Sequence, residues 1–167
     1  FALCNTLNMR RLPFLAVLCA SLATLLPAQN IPLSEYKTRR DALRKDLDGT
    51  VLLFAKTVGP DEVYGYVQEP NFYYLTGWNE PGAALLIIGP NTEPERSGQP
   101  AHVRAYKEIL YLPTRNLRME QYTGAKMDAA TPGVTKATGI DNGEPMANLA
   151  EDLNRTIADD RRVAYNV

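Results

Sequence analysis

Apolar and polar positions change period several times along this chain, and each change marks out an element. From Ile31 the first period is helical: Tyr36, Arg40, Leu43 and Leu47 fall on one helix face. The pattern predicts a helix over 35–47. Ser34 would be its N-cap, because a serine oxygen accepts the unpaired N–H groups of a first turn, and Gly49 would end it in a left-handed turn. TVLLFA, Thr50 to Ala55, is an unbroken apolar run of strand length, which predicts a strand covered on both faces, of the parallel and central kind. GAALLII, ending at Ile88, and KEILYLP, Lys107 to Pro113, predict two more strands.

Between them, NFYYL reads as extended, with Phe72 and Tyr74 on one side and Tyr73 and Leu75 on the other. At least half of these aromatics belong in the core, since each buried ring stabilises by about 1.5–3 kcal/mol. Near the end, Pro145 suits the first turn of a helix whose buried stripe is Met146, Leu149, Leu153 and Ile157. RVAYNV then returns as a strand with Val163, Tyr165 and Val167 on one face. Helix, three strands, helix and strand predict an α/β fold: three layers, with a mixed central sheet and helices on both faces.

The first 28 residues break this rhythm. Met9-Arg10-Arg11 is a short basic start, Leu12 to Leu26 is apolar and uncharged, and Ala28 is a small residue at a cleavage point. The segment reads as a secretory leader, removed to leave a mature chain from Gln29, with the eight residues before Met9 being either translated upstream sequence or a truncated start. The apolar stretch is short of the roughly 20 residues that a membrane-spanning helix needs, so no stable span is expected after leader removal. Export, to the periplasm or the exterior, is the expected destination. Cys4 and Cys19 both lie in the leader, which leaves the mature body without thiol chemistry.

The chain has 167 residues and a formal charge of −1, with no basic face for nucleic acid; without Arg10 and Arg11 the body has 16 basic and 19 acidic side chains. It has no serine-nucleophile elbow, phosphate loop or H-E-x-x-H. The one histidine, His102, ends a proline-rich excursion over 89–102, and nothing nearby supplies the set of converging donors that a metal site needs. The sequon Asn154-Arg155-Thr156 falls inside the last expected helix, which favours coincidence over glycosylation.

The stretch VYGYVQEPNFYYLTGWNEPGAALLI resembles the N-terminal domain of Xaa-Pro aminopeptidase (aminopeptidase P), of the creatinase and prolidase superfamily. Tyr64, Tyr66, Asn71, Phe72, Tyr73, Tyr74, Leu75, Thr76, Gly77, Glu80 and Pro81 fall in step with the family motif. YKTRRDALRKDL with VLLFA, and LYLPTRNLRMEQYTGAK with Tyr122 where Trp is usual, extend the likeness to about Ser34–Val167. Val67 stands where the family commonly has Arg, so a role that depends on that Arg does not carry over.

The resemblance implies a creatinase/prolidase N-terminal-type domain over 29–167. In the full-length enzyme a following domain would bind two manganese ions through two Asp, one His and two Glu and remove the N-terminal residue of peptides with proline second. This chain ends before those ligands, so no catalytic residue and no metal is expected within it. Its expected contribution is to homo-oligomer assembly and to substrate access. Asp61 matches a family Asp that reaches towards a neighbouring subunit's active site; otherwise it only closes the turn after Gly59-Pro60. Tyr64 and Trp78 are the other candidates for the access path, with Trp78 either pinned on the core or part of a wall facing the cleft. A secreted interaction module without peptidase activity and an unrelated α/β binding protein are the alternatives.

Overall fold

The computed structural model describes residues 30–59, 65–89, 107–159 and 163–166. Its centre is a five-stranded mixed sheet of β1 (Thr50–Phe54), β2 (Ala84–Ile88), β3 (Glu108–Leu112), β4 (Asn142–Pro145) and β5 (Val163–Tyr165), ordered β4-β3-β2-β1-β5. The helices are α1 (Leu33–Asp46), α2 (Pro70–Thr76), α3 (Leu117–Thr123), α4 (Val134–Thr138) and α5 (Leu149–Asp159), with a 3-10 turn over Met146–Asn148 leading into α5. Among the described residues no helix is long and apolar enough to cross a membrane.

The apolar runs became strands for the expected reason. Every residue of β2 is buried, Leu85 and Ile87 on one face and Ala84, Leu86 and Ile88 on the other. On the first face Leu53, Leu110 and Leu112 join Phe72 and Leu75 of α2, Val134 of α4, and Leu43 and Leu47 around α1. On the second, Leu52 and Tyr111 pack with Met146 and with Leu149 and Leu153 of α5, three of the four stripe positions; Pro145 ends β4 instead of entering the helix, and the side chain of Ile157 lies outside the described residues. Tyr111 is fully buried and donates its hydroxyl to Asp152 Oδ2 at 3.0 Å. Burial, followed by that carboxylate, pushes the Tyr111 pKa well above the usual tyrosine value.

Strand direction departs from expectation. β1 is parallel only to β5 and runs antiparallel to β2, Leu52 opposite Leu86, so the unbroken apolar run reports burial on both faces and not direction. β4 is parallel to β3. Its sequence NGEP has no apolar residue, and it forms a strand through backbone pairing alone.

The larger correction concerns NFYYLT, which is helix and not strand. Glu69 caps it, accepting from Phe72 N–H at 2.5 Å; Pro70 occupies the first turn, and Gly77 closes it in a left-handed conformation. Phe72, Leu75 and Thr76 face inward at helical spacing, whereas Tyr73 and Tyr74 are exposed, so of the three aromatics in this stretch only Phe72 joins the core, fewer than expected. Ser34 is not the cap of α1 either: the helix opens from Pro32, and the Ser34 carbonyl accepts from Thr38 Oγ1 at 2.9 Å. At the other end Leu47 is extended, so Gly49 opens β1 and does not terminate the helix. Tyr165 is largely exposed, and Val167 lies outside the described residues.

Among the inward residues of α1, Arg40 is 1% exposed. Its Nε and Nη2 form a fork on the Glu108 carboxylate at 2.6 and 3.1 Å. Nη1 donates to the Leu75 carbonyl at 2.8 Å and Nη2 to the Gly139 carbonyl at 2.5 Å. Arg40→Met would leave a buried carboxylate and two carbonyls without this donor, at a cost of about 3–5 kcal/mol. Urea unfolding should show this loss, with most of it regained when Glu108→Leu is added.

Tyr111 supplies a pH-dependent counterpart. Tyr111→Phe removes one hydrogen bond, about 1 kcal/mol at neutral pH. The folded state holds the phenol neutral, so the parent's stability is intact below the tyrosine value of the unfolded chain, about 10, and falls as pH rises past it. The phenylalanine variant lacks this slope, and unfolding curves across that range should show the gap between the two proteins closing.

Candidate functional site

The segment that follows β1 is tied down by Gln68, whose side chain is buried. Its Oε1 accepts from the Lys56 and Glu69 N–H groups at 2.8 and 2.9 Å, while Nε2 donates to the Glu80 carbonyl at 3.0 Å and the Trp78 carbonyl at 3.3 Å. One amide therefore joins the start of α2 to the loop that leaves it. Tyr66 adds a bond from its hydroxyl to the Lys56 carbonyl at 3.0 Å.

Most of the motif residues brace this arrangement. Asn71 donates to the Glu69 carboxylate at 3.0 Å; Thr76 Oγ1 donates to the Phe72 carbonyl at 2.7 Å and accepts from Trp78 N–H at 3.0 Å. Gly77 has φ +66, and a Cβ there would stand 2.5 Å from the Tyr36 ring, so only glycine lets α1 and α2 approach this closely. Arg39 lies over the Tyr36 and Tyr74 rings, 5.3 and 4.4 Å from their centroids, and donates to the Tyr74 carbonyl at 3.1 Å.

Trp78 follows directly on the Gly77 turn. It is half-buried against the first core face, and it also lines a cavity of about 200 Å³ under α3 with Pro81, Pro113, Met119 and Met127. Its buried Nε1 has no hydrogen-bond partner among the described residues. Two ion pairs border the cavity: Glu80 with Lys126, and Arg115 with Glu120, the latter forked at 2.7 Å for both contacts. The hydrogen bond from Arg115 holds the Glu120 carboxyl below its usual range, and the Thr131 hydroxyl does the same for Asp128. Above the cavity α3 buries none of its residues and exposes Leu117, Met119 and Tyr122.

Asp61 and Tyr64 lie outside the described residues, as does His102. Val67 is 69% exposed. Sequence reasoning passed over Gln68, Glu69 and Glu108, and it placed Arg40 on the inward helix face without finding its partner. A signal for Glu69 was present in an acid before Pro70 with glycine after the last apolar residue, the marks of a helix start and stop. For Arg40 it was a cation on an apolar helix face. The assembled surface is apolar with neutralised charge at its border, which suits recognition. Among the described residues no three His, Cys, Asp or Glu side chains could hold a metal ion.

Residues 36–165 match the family model described as aminopeptidase P, N-terminal domain. The chain is 33% identical over 141 residues to intermediate cleaving peptidase 55 of Schizosaccharomyces pombe, covering 81% of this chain and 26% of that protein. It is 30% identical over 125 residues to Xaa-Pro aminopeptidase 3 of Dictyostelium discoideum, covering 72% of this chain and 22% of the relative. The chain thus spans about a quarter of these relatives' length. Aminopeptidase PepP of Pseudomonas aeruginosa superimposes with a TM-score of 0.64 at 26% identity, covering 83% of this chain and 29% of that structure. The α/β architecture, the braced motif around α2 and these matches agree: the chain belongs to the aminopeptidase P N-terminal domain family.

Proposed function

We propose that this chain is the N-terminal, noncatalytic portion of an exported Xaa-Pro aminopeptidase. In that protein it contributes to subunit pairing and to the path by which peptide N-termini reach the active site. The observation that carries the reading is the family match over 36–165, within a chain spanning about a quarter of its peptidase relatives. Bond cleavage then belongs to the remainder of the protein, where a two-metal site, with manganese as the proposed ion, would activate water and stabilise the developing charge. Export rests on the basic start, the short apolar run and Ala28.

The test uses the longest natural product that contains this sequence. Recovered from the exported fraction, it should begin at Gln29 and hydrolyse peptides with proline second; a chelator should abolish the activity and manganese should restore it. Residues 29–167 alone should release no product. A full-length protein inactive on such peptides would refute the peptidase reading and leave a secreted interaction module, whereas cleavage by the shorter chain would refute its noncatalytic role.

Asp61 is the residue proposed to act on substrate, its carboxylate meeting the peptide ammonium at a neighbouring active site. In the full-length enzyme Asp61→Asn should raise KM for short peptides about fivefold, as for the loss of a partly exposed charge pair. The effect should shrink as salt rises, because screening acts on exposed charges. Steady-state kinetics at two ionic strengths checks this, and an unchanged KM at low salt would leave Asp61 as a turn residue.

A further inference from the structure

Asn142-Gly143 is the one Asn-Gly pair in the sequence. The fold places it in β4, an edge strand of the sheet, with both residues half-buried. Glycine after asparagine matters chemically because, without a Cβ, its backbone readily turns its nitrogen towards the preceding side-chain amide carbon. Two features hold the pair out of that geometry. Pairing with β3, Asn142 opposite Ile109 and Gly143 opposite Leu110, keeps the backbone extended. The Asn142 side-chain amide also donates to Glu144 Oε1 at 2.9 Å, while Glu144 Oε2 accepts from Asn148 Nδ2 at 3.2 Å. One carboxylate thus grips the reactive amide and ties it to the turn before α5.

The restraint is local. Among the described residues β4 pairs on one side only, is four residues long and has no fully buried residue, so it can open without the central strands. We propose that Asn142 is a self-modification site gated by the fold: opening of β4 allows deamidation through a cyclic imide, and the product weakens the return of β4 to the sheet edge. The Gly143 nitrogen attacks the Asn142 side-chain carbonyl carbon, forming an N–C bond. The bond from that carbon to Nδ2 breaks, and ammonia leaves with the amide proton. Water then adds to either imide carbonyl, giving aspartate or isoaspartate, with no change of oxidation state.

The consequence follows from what surrounds the new carboxylate. It would face Glu144 where an amide donor stood and adjoin Asp141, so that like charges replace a hydrogen bond. Isoaspartate also lengthens the backbone by one carbon, which disturbs strand register.

The test incubates the full chain in mildly alkaline buffer with and without urea, then maps peptides by mass spectrometry with isoaspartate detection. Asn142 should convert before every other asparagine, and at least about tenfold faster in urea than in the folded protein. Glu144→Ala should accelerate conversion severalfold in the folded protein and leave the rate in urea nearly unchanged. Equal rates with and without urea would overturn the gating, as would an unchanged folded-state rate in a folded Glu144→Ala protein. Independently, Asn142→Asp should lower the urea midpoint and Glu144→Gln added to it should restore most of the loss; a midpoint equal to the parent's would overturn the proposed consequence.

Discussion

Arg40 places a guanidinium in the layer between α1 and the sheet, where water cannot solvate it, and the surrounding structure has to supply its partners. Glu108 of β3 provides the opposing charge, while Leu75 and Gly139 provide carbonyls at the ends of α2 and α4. Helix ends leave such carbonyls unpaired, so one side chain both neutralises a buried acid and completes two short helices. Apolar packing would tolerate α1 sliding along the sheet by part of a turn. The forked ion pair does not, because its oxygen and nitrogen positions are fixed in direction as well as distance. Arg44 adds a second restraint, donating to the Ile88 carbonyl at 2.7 Å where β2 ends.

With α1 fixed, α2 has one place to go. Gly77 admits the Tyr36 ring, Thr76 turns the chain, and Gln68 holds the outgoing loop against the incoming one. The segment carrying the family likeness is therefore largely scaffold: Asn71, Phe72, Leu75, Thr76 and Gly77 form or close a two-turn helix. What this scaffold presents outward is Tyr73, Tyr74 and the cavity edge at Trp78.

How much of this could be read from the sequence depended on whether each element is defined by its own side chains. β1, β2, β3 and the α5 stripe were legible because burial on defined faces requires apolar residues at a fixed period. The inward face of α1 was legible for the same reason. β4 was not, since NGEP pairs through backbone groups that every sequence possesses. NFYYL misled because its aromatics favour strands in general, while the cap at Glu69 and the stop at Gly77 decided the local outcome. The Arg40–Glu108 pair spans 68 positions, a separation over which no periodicity carries information. Of the access-path candidates, Trp78 was legible as a residue of interest, and its place against both core and cavity required the loop that Gln68 anchors.

The sheet order bears on how the chain is assembled. β1, β2 and β3 are joined consecutively and pair antiparallel in that order, so this core needs nothing made later than Leu112. β5 must cross back to β1, its Val163 aligning with Thr50, and it therefore closes the longest loop in the sheet. On a ribosome synthesising from the N-terminus, the antiparallel meander is complete while α5 and β5 are still unmade. Through that interval Leu86 and Tyr111 have no helix over them, and the outer edge of β1 is unpaired. A nascent chain at this stage shows an apolar surface and an open strand edge, the two features that make an unfinished chain prone to aggregate until its last elements arrive.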